Sequence, residues 1–205
     1  MSKDERRELI ATAAAELFAE RGYRGASVDE IARRAGVTPP VLYEHFSSKV
    51  GLYRHLLERH FADLRRIWGE HFPGEGPLTE RLAKAVDGWF AYVEAHPFAG
   101  RVLFRDGAGD PEIAPVHEEV AERSRAEVMR LFVAEPGSEK VAGATEGEAL
   151  EMTWVVLRGV LQGLAVWWAD HPSVARERVV ATAMNSLWFG LERTQRGEGW
   201  PATRA

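Results

Sequence analysis

Trp154, Arg158 and Gln162 stand four residues apart in turn, so a helix that carries them shows all three on one face. An indole, a guanidinium and an amide set in that way can hold an anionic or polar molecule against an apolar wall. Arg158 is the only charge between Glu151 and Asp170, a setting in which an unpaired guanidinium is costly. It meets either a carboxylate across a subunit interface or a ligand, and the ion pair is the first expectation. Tyr92, His96 and Arg101 are further candidate anchors, interleaved with Trp89, Phe98 and Phe104. Aromatic stripes of this kind are more often core than pocket, yet the combination suits a mostly apolar cavity with a few polar groups. Catalytic chemistry is poorly served by contrast. His55 and His60 are five residues apart, about 140° around a helix, so they cannot share a metal as an i, i+4 pair does. There is no nucleophile elbow, phosphate-binding glycine loop or dinucleotide fingerprint. The absence of cysteine removes thiol nucleophiles, disulfides and cysteine zinc sites. The expectation is no catalytic residue, no metal, no cofactor and no enzyme.

A second constellation lies between residues 26 and 52, where the pattern spells two short helices joined by a tight turn. Ser27 can cap the first, and Glu30, three residues on, completes a capping box. Ile31 and Ala32 face inward, and the small Ala32 leaves room for a close crossing. Gly36 falls where this helix must stop, in a position suited to a left-handed backbone. Thr38 can cap the second helix, with Pro39 at its first position, where the missing N–H costs nothing. Leu42 and Phe46 give it a buried stripe and leave Tyr43 and His45 to point elsewhere. So short a helix is not stable alone. Presentation of its N-terminal end to a DNA major groove is the leading reason for it to exist. Leu9, Ile10, Ala13, Leu17 and Phe18 mark a preceding helix from about residue 4 to 21, ended by Gly22. Ser47-Ser48-Lys49 opens a following one bearing Leu52, Leu56, Leu57, Phe61, Leu64 and Trp68.

Taken together, Phe18-x-x-x-Gly22-Tyr23, Ser27-Val28-x-x-Ile31-Ala32, Ala35-Gly36-Val37, Leu42-Tyr43-x-His45-Phe46 and Ser48-Lys49 resemble the DNA-binding domain of TetR-type transcriptional regulators, over about residues 8–57. The remainder is similar to that family in being helical and of the usual length. The resemblance implies a three-helix helix-turn-helix domain over residues 1–47 and a helical effector-binding and dimerisation domain over 48–205, with 48–71 as the helix that bridges them. It sets Thr38, Tyr43, His45 and Lys49 at positions that hold phosphates, and Ser27 at its helix N-terminus can do the same. One departure stands out. Many relatives carry a Lys or small residue, then Gly or Ala, then Thr or Ser after the capping residue, whereas this chain has Pro39, Pro40 and Val41. None has a side-chain donor, so these three are left with apolar contact to thymine methyls and readout of DNA shape.

Charge is divided along the chain. Residues 1–66 hold 12 Lys/Arg against 10 Asp/Glu, a net of +2, and the rest holds 14 against 21, a net of −7, which together give the total of −5. DNA would therefore meet only the first portion, where Lys3, Arg6, Arg7, Arg33, Arg34 and Lys49 supply the positive points. The charged N-terminus lacks the apolar segment of a signal peptide, which makes the cytoplasm the expected location. Residues 152–169 carry no acidic group, but Arg158, Gln162 and two glycines interrupt the run. A buried helix is expected there rather than a membrane span.

Breakers divide what remains of the 205 residues. Pro73-Gly74-x-Gly76-Pro77 ends the bridging helix; helices are expected to about residue 95, from Phe98 to Phe104, and over 111–133, 148–169 and 173–195. Glu135 to Gly147 is polar and glycine-rich, and flexible by composition. No alternation of strand period persists, so the fold class is all-α. The 148–169 helix is apolar nearly all round, which calls for burial on more than one side. Gly159 and Gly163 permit a close approach, and Trp167, Met184, Leu187, Trp188 and Leu191 complete an expected homodimer interface, a four-helix bundle. One short recognition helix reads too few base pairs, so two copies about one DNA turn apart are expected on a palindromic operator. The functional expectation is a ligand-responsive DNA-binding transcriptional regulator, a repressor freed from double-stranded DNA by a small apolar or aromatic effector. The alternative is a helical small-molecule-binding or scaffold protein that has lost specific DNA binding.

Overall fold

The structure is a computed structural model that describes residues 2–96, 99, 110–133 and 146–195, without the side chains of 133, 146 and 188–195. The described residues form α-helices and no strand, as expected: α1 Lys3–Gly25, α2 Val28–Arg34, α3 Pro39–His45, α4 Lys49–His71, α5 Leu78–Ala95, α6 Ala114–Val133, α7 Glu146–Ala169 and α8 Arg176–Gln195. Apart from Ala99, the helix expected from Phe98 to Phe104 lies outside the described residues, as do residues 134–145 of the connection expected to be flexible. Packing groups the chain into two compact units, Met1–Asp63 with His96–Ser124, and Leu64–Ala95 with Arg125–Ala205.

The first unit forms around aromatic rings that α1 and α4 bring together. Phe18, Tyr23 and Tyr53 are almost fully buried, with ring centroids 5.5 to 5.8 Å apart. α1 begins with a full capping box, Ser2 with Glu5. It runs past its expected stop, because Gly22 at φ 71°, ψ 170° only kinks it and one more turn follows to Gly25. That kink swings Tyr23 into the core. α2 is opened by the expected box of Ser27 and Glu30. It closes with Gly36 at φ 68°. The Val37 N–H donates to the Ala32 carbonyl (2.9 Å) and the Gly36 N–H to the Arg33 carbonyl (3.2 Å), the paired bonds of a Schellman stop. Leu42 of α3 and Phe46, its C-cap residue, are buried as the spacing requires.

Within the first unit α6 is laced to α4 by charge, with Arg54 on Glu119 and Arg123 on Glu58. Apolar and imidazole groups pack beneath these pairs. His60 on α4 is 6% exposed, its ring 6.1 Å from that of His96, and His117 meets Phe61 edge-on at 6.2 Å.

The second unit packs α5 against α7 and α8. Leu82, Val86, Trp89, Phe90 and Val93 of α5 are buried, and Phe90 meets Trp168 of α7 at 6.0 Å. Arg176 at the start of α8 reaches both Asp87 (3.0 Å) and Glu94 (2.7 Å). Gly88 lets α4 and α5 close up, since a Cβ there would stand 2.9 Å from Ile67 Cγ2. Arg81 donates to the Phe72 carbonyl (2.8 Å) at the end of α4.

Within the chain α7 is buried along one face only. By length and composition Gly147–Ala169 could cross a membrane, yet only 28% of its most apolar window is buried within the chain. Leu150, Leu157, Leu161, Ala165 and Trp168 face inward. The opposite face leaves Met152, Val155, Val156 (58%) and Trp167 (45%) exposed. These lie in one stripe with Gly159 and Gly163.

Burial holds the His60 imidazole down to about 4, with His96 and Arg59 adding to the effect and Asp63 opposing it. The folded chain therefore resists a proton that the unfolded chain accepts from its ordinary value of 6.5 downward. Stability present at neutral pH is lost as pH falls from there toward 4, by about 3 kcal/mol for this group. Denaturant unfolding at pH 7.5 and 4.5 is expected to show that loss. His60→Gln should flatten it, and an equal pH slope in both proteins would contradict the assignment.

Candidate functional site

The outer side of α3 is open. Thr38, Pro40, Tyr43 and Glu44 are exposed, with Tyr43 at 51%. Pro39, Val41 and His45 are half-buried. Thr38 occupies the N-cap position, but its hydroxyl makes no cap bond, contrary to expectation. Pro39 and Pro40 have no N–H, so the Val41 N–H is the one first-turn donor that a cap could take, and the Thr38 hydroxyl does not take it. The Leu42 N–H goes to the Thr38 carbonyl (3.0 Å).

The expected cations divide into two groups. Lys3 and Arg33 are exposed and Arg6 half-exposed. Arg34 is engaged by Glu20 through two bonds (2.7 and 3.0 Å), with Glu16 at 3.6 Å. That partner lowers the Glu20 carboxyl below its ordinary range and raises the Arg34 guanidinium. Its charge is thus largely met within the protein. Ser27 is likewise occupied, accepting from the Glu30 N–H and donating to the Glu30 carboxylate.

Arg7 does something the sequence did not disclose. Its guanidinium donates to the His45 carbonyl (2.7 Å), lies over the Phe46 ring (4.3 Å) and comes within 3.5 Å of His55 Nδ1. It therefore caps the C-terminal end of α3 with a positive charge, where the helix dipole favours one. His45 itself has its Nδ1 enclosed without a hydrogen-bond partner among the described residues. Lys49, at the start of α4, lies over the Tyr23 ring at 4.1 Å. Burial lowers its ammonium from the ordinary lysine value, while Glu112 and Asp110 oppose that shift. Ser48 accepts from the Gly51 N–H (2.9 Å) and so caps α4.

The residues expected to line a cavity are not all brought together. Phe98, Arg101 and Phe104 lie outside the described residues. His96 belongs to the first unit and meets His60; Trp89 and Tyr92 are buried in the second. Trp154, Arg158 and Gln162 do follow one another along α7, but Arg158 is exposed and has no ion-pair partner among the described residues. The Trp154 Nε1 is enclosed with no hydrogen-bond partner among the described residues. Of the expected interface, Gly159, Gly163 and Trp167 lie on the exposed stripe and Met184 is half-buried. Leu187 is a correction: at 4% exposure it is part of the chain's own core, because it lies on the face of α8 turned toward α5 and α7. The side chains of Trp188 and Leu191 lie outside the described residues.

Residues 10–56 match the family model described as bacterial regulatory proteins, tetR family, and residues 78–190 that of a tetracyclin repressor-like C-terminal domain. The chain belongs to the TetR family. As a TetR-family protein it is a ligand-responsive, DNA-binding transcriptional regulator. It is 32% identical over 194 residues to the transcriptional activator FasR of Mycolicibacterium smegmatis, spanning 93% of this chain and 85% of FasR. It is 29% identical over 196 residues to the transcriptional repressor BepR of Brucella suis, spanning 89% and 92%. FadR of Bacillus subtilis, solved in complex with stearoyl-CoA, has the same fold, with a TM-score of 0.71 at 19% identity over 93% of this chain and 98% of that one.

Arg7→Ala is expected to weaken DNA binding by this TetR-family protein roughly tenfold, through loss of a charge-assisted bond that fixes α3. Arg7→Lys should not restore it, lacking the planar fork. Fluorescence anisotropy with a labelled operator checks both, and faster hydrogen exchange of the α3 amides should accompany the loss.

Proposed function

We propose that the protein acts as a homodimer that lays two copies of α3 into successive major-groove turns of a palindromic operator, and that a small apolar or aromatic effector loosens that grip. Residues 1–47 serve as the DNA-binding domain and 48–205 as the effector-binding and dimerisation domain, with α4 bridging them. The observation that carries the reading is the open outer side of α3, held in place from behind by Leu42, Phe46 and Arg7. Thr38, Tyr43 and Lys49 hold phosphates, while Pro39, Pro40 and Val41 press an apolar surface on the bases and read shape. The stripe of Met152, Val155, Val156, Gly159, Gly163 and Trp167 supports pairing of α7 with its symmetry mate, since an apolar stripe of that extent is seldom left in water. No enzymatic role is assigned, and the cytoplasm is where such a protein meets its DNA.

Release by an effector requires that it bind more tightly to a dimer whose heads do not match the operator spacing. The same release relieves repression from an operator that overlaps a promoter and withdraws activation from one upstream of it. Because FadR of Bacillus subtilis was solved with stearoyl-CoA, a long-chain acyl-CoA is the first probe.

Selection of DNA fragments by the purified protein, followed by anisotropy titrations at rising salt, tests the reading. A preferred palindrome and a steep log–log loss with salt are expected. Tyr43→Phe and Lys49→Ala should weaken binding by a similar factor on every sequence. Loss at one base pair only would overturn their assignment to phosphates. Val156→Glu is expected to yield monomers in analytical ultracentrifugation and to cost most of the operator affinity. Salt-independent binding without sequence preference would instead favour a scaffold that has lost its DNA.

A further inference from the structure

The first turn before α6 is tied to the DNA-binding head by an acidic pair. Asp110 is almost buried and accepts the Arg24 Nε on one carboxylate oxygen (2.9 Å) and the Glu112 N–H on the other (3.0 Å). Its carbonyl takes the N–H groups of Ile113 (3.1 Å) and Ala114 (2.9 Å), so the same residue that grips α1 also starts α6. Glu112 accepts the Tyr23 hydroxyl at 2.9 Å. On the face of that same phenol ring stands the Lys49 ammonium. Three groups from three parts of the chain are therefore stacked in order: carboxylate, phenol, ammonium. A phenol that donates to a carboxylate gains electron density in its ring, and a richer ring attracts a cation more strongly. Burial and the Glu112 bond together hold the phenol well above its ordinary value, so it stays a donor at every physiological pH.

We propose that Asp110 and Glu112 are positioning residues for DNA binding: they hold the end of α1 and, through the Tyr23 ring, fix the Lys49 ammonium where a phosphate meets it. The inference rests on the reading of Lys49 as a phosphate contact. It makes the start of α6 part of the DNA-binding apparatus, although that segment is about sixty residues downstream of Lys49 and carries a net negative charge. An anionic segment next to a DNA site would ordinarily oppose binding. Here it is expected to help, because both carboxylates are occupied by groups of the head.

The test uses the full-length protein with Glu112→Gln, Asp110→Asn and the double substitution. Each is near-isosteric, and Glu112 is exposed, so the single E112Q variant keeps the fold if the double one does not. Operator affinity of the double variant is expected to fall about fivefold, the size of one lost cation–π contact. Lys49→Ala should cost clearly less in that background than in the native chain, where it also lowers the salt slope by about one. The chain has four lysines, so reductive methylation with labelled formaldehyde gives few NMR signals, and Lys49→Arg assigns the one for Lys49. Ring-current displacement of that signal in the native chain, lost in D110N/E112Q, supports the proposal without any DNA present. An unmoved Lys49 signal, or losses from Lys49→Ala that simply add, would overturn it. If the native chain shows the displaced signal but selects no DNA fragment, the phosphate reading fails and the positioning role falls with it.

Discussion

A seven-residue helix cannot hold itself together in water, and the first unit is arranged around that constraint at α3. What fixes α3 is its packing and bonding to other parts of the chain. Leu42 and Phe46 anchor it from below, the Schellman stop at Gly36 sets the angle at which the chain enters it, and Arg7 seals its last carbonyl. Two of its own first-turn donors have been given up to proline. What α3 loses in self-capping it gains in preorganisation, since Pro39 and Pro40 enter the folded state with φ already near the helical value. Support from behind leaves the outer side free of any structural duty.

The second unit solves a different problem. α7 fills a core within its own chain with Leu150, Leu157, Leu161 and Trp168. The stripe through Gly159 and Gly163 stays exposed within the chain, and its glycines keep that face shallow. Arg158 lies to the side of the stripe, which explains how a helix this apolar tolerates a guanidinium: water reaches it.

The all-α class, the capping box at Ser27, the stop at Gly36 and the start of α4 were legible because each depends on a few neighbouring residues whose chemistry has one structural use. The roles of Arg7 and Arg34 were not. Both read as cations for DNA, and both bond within the protein to groups 38 and 14 residues away, a distance at which spacing carries no signal. The acidic turn at Asp110 and Glu112 was hidden for the same reason, being nearly ninety residues from Tyr23. Leu187 was misplaced because periodicity finds the apolar face of a helix but not which of two cores it enters.

Gly22 and Gly36 both adopt positive φ, yet a Cβ built on either would meet nothing within 4 Å. Volume is therefore not what selects glycine there; handedness is. An L-alanine would be strained by its own backbone. The two bends that shape the head thus discriminate chirality rather than size.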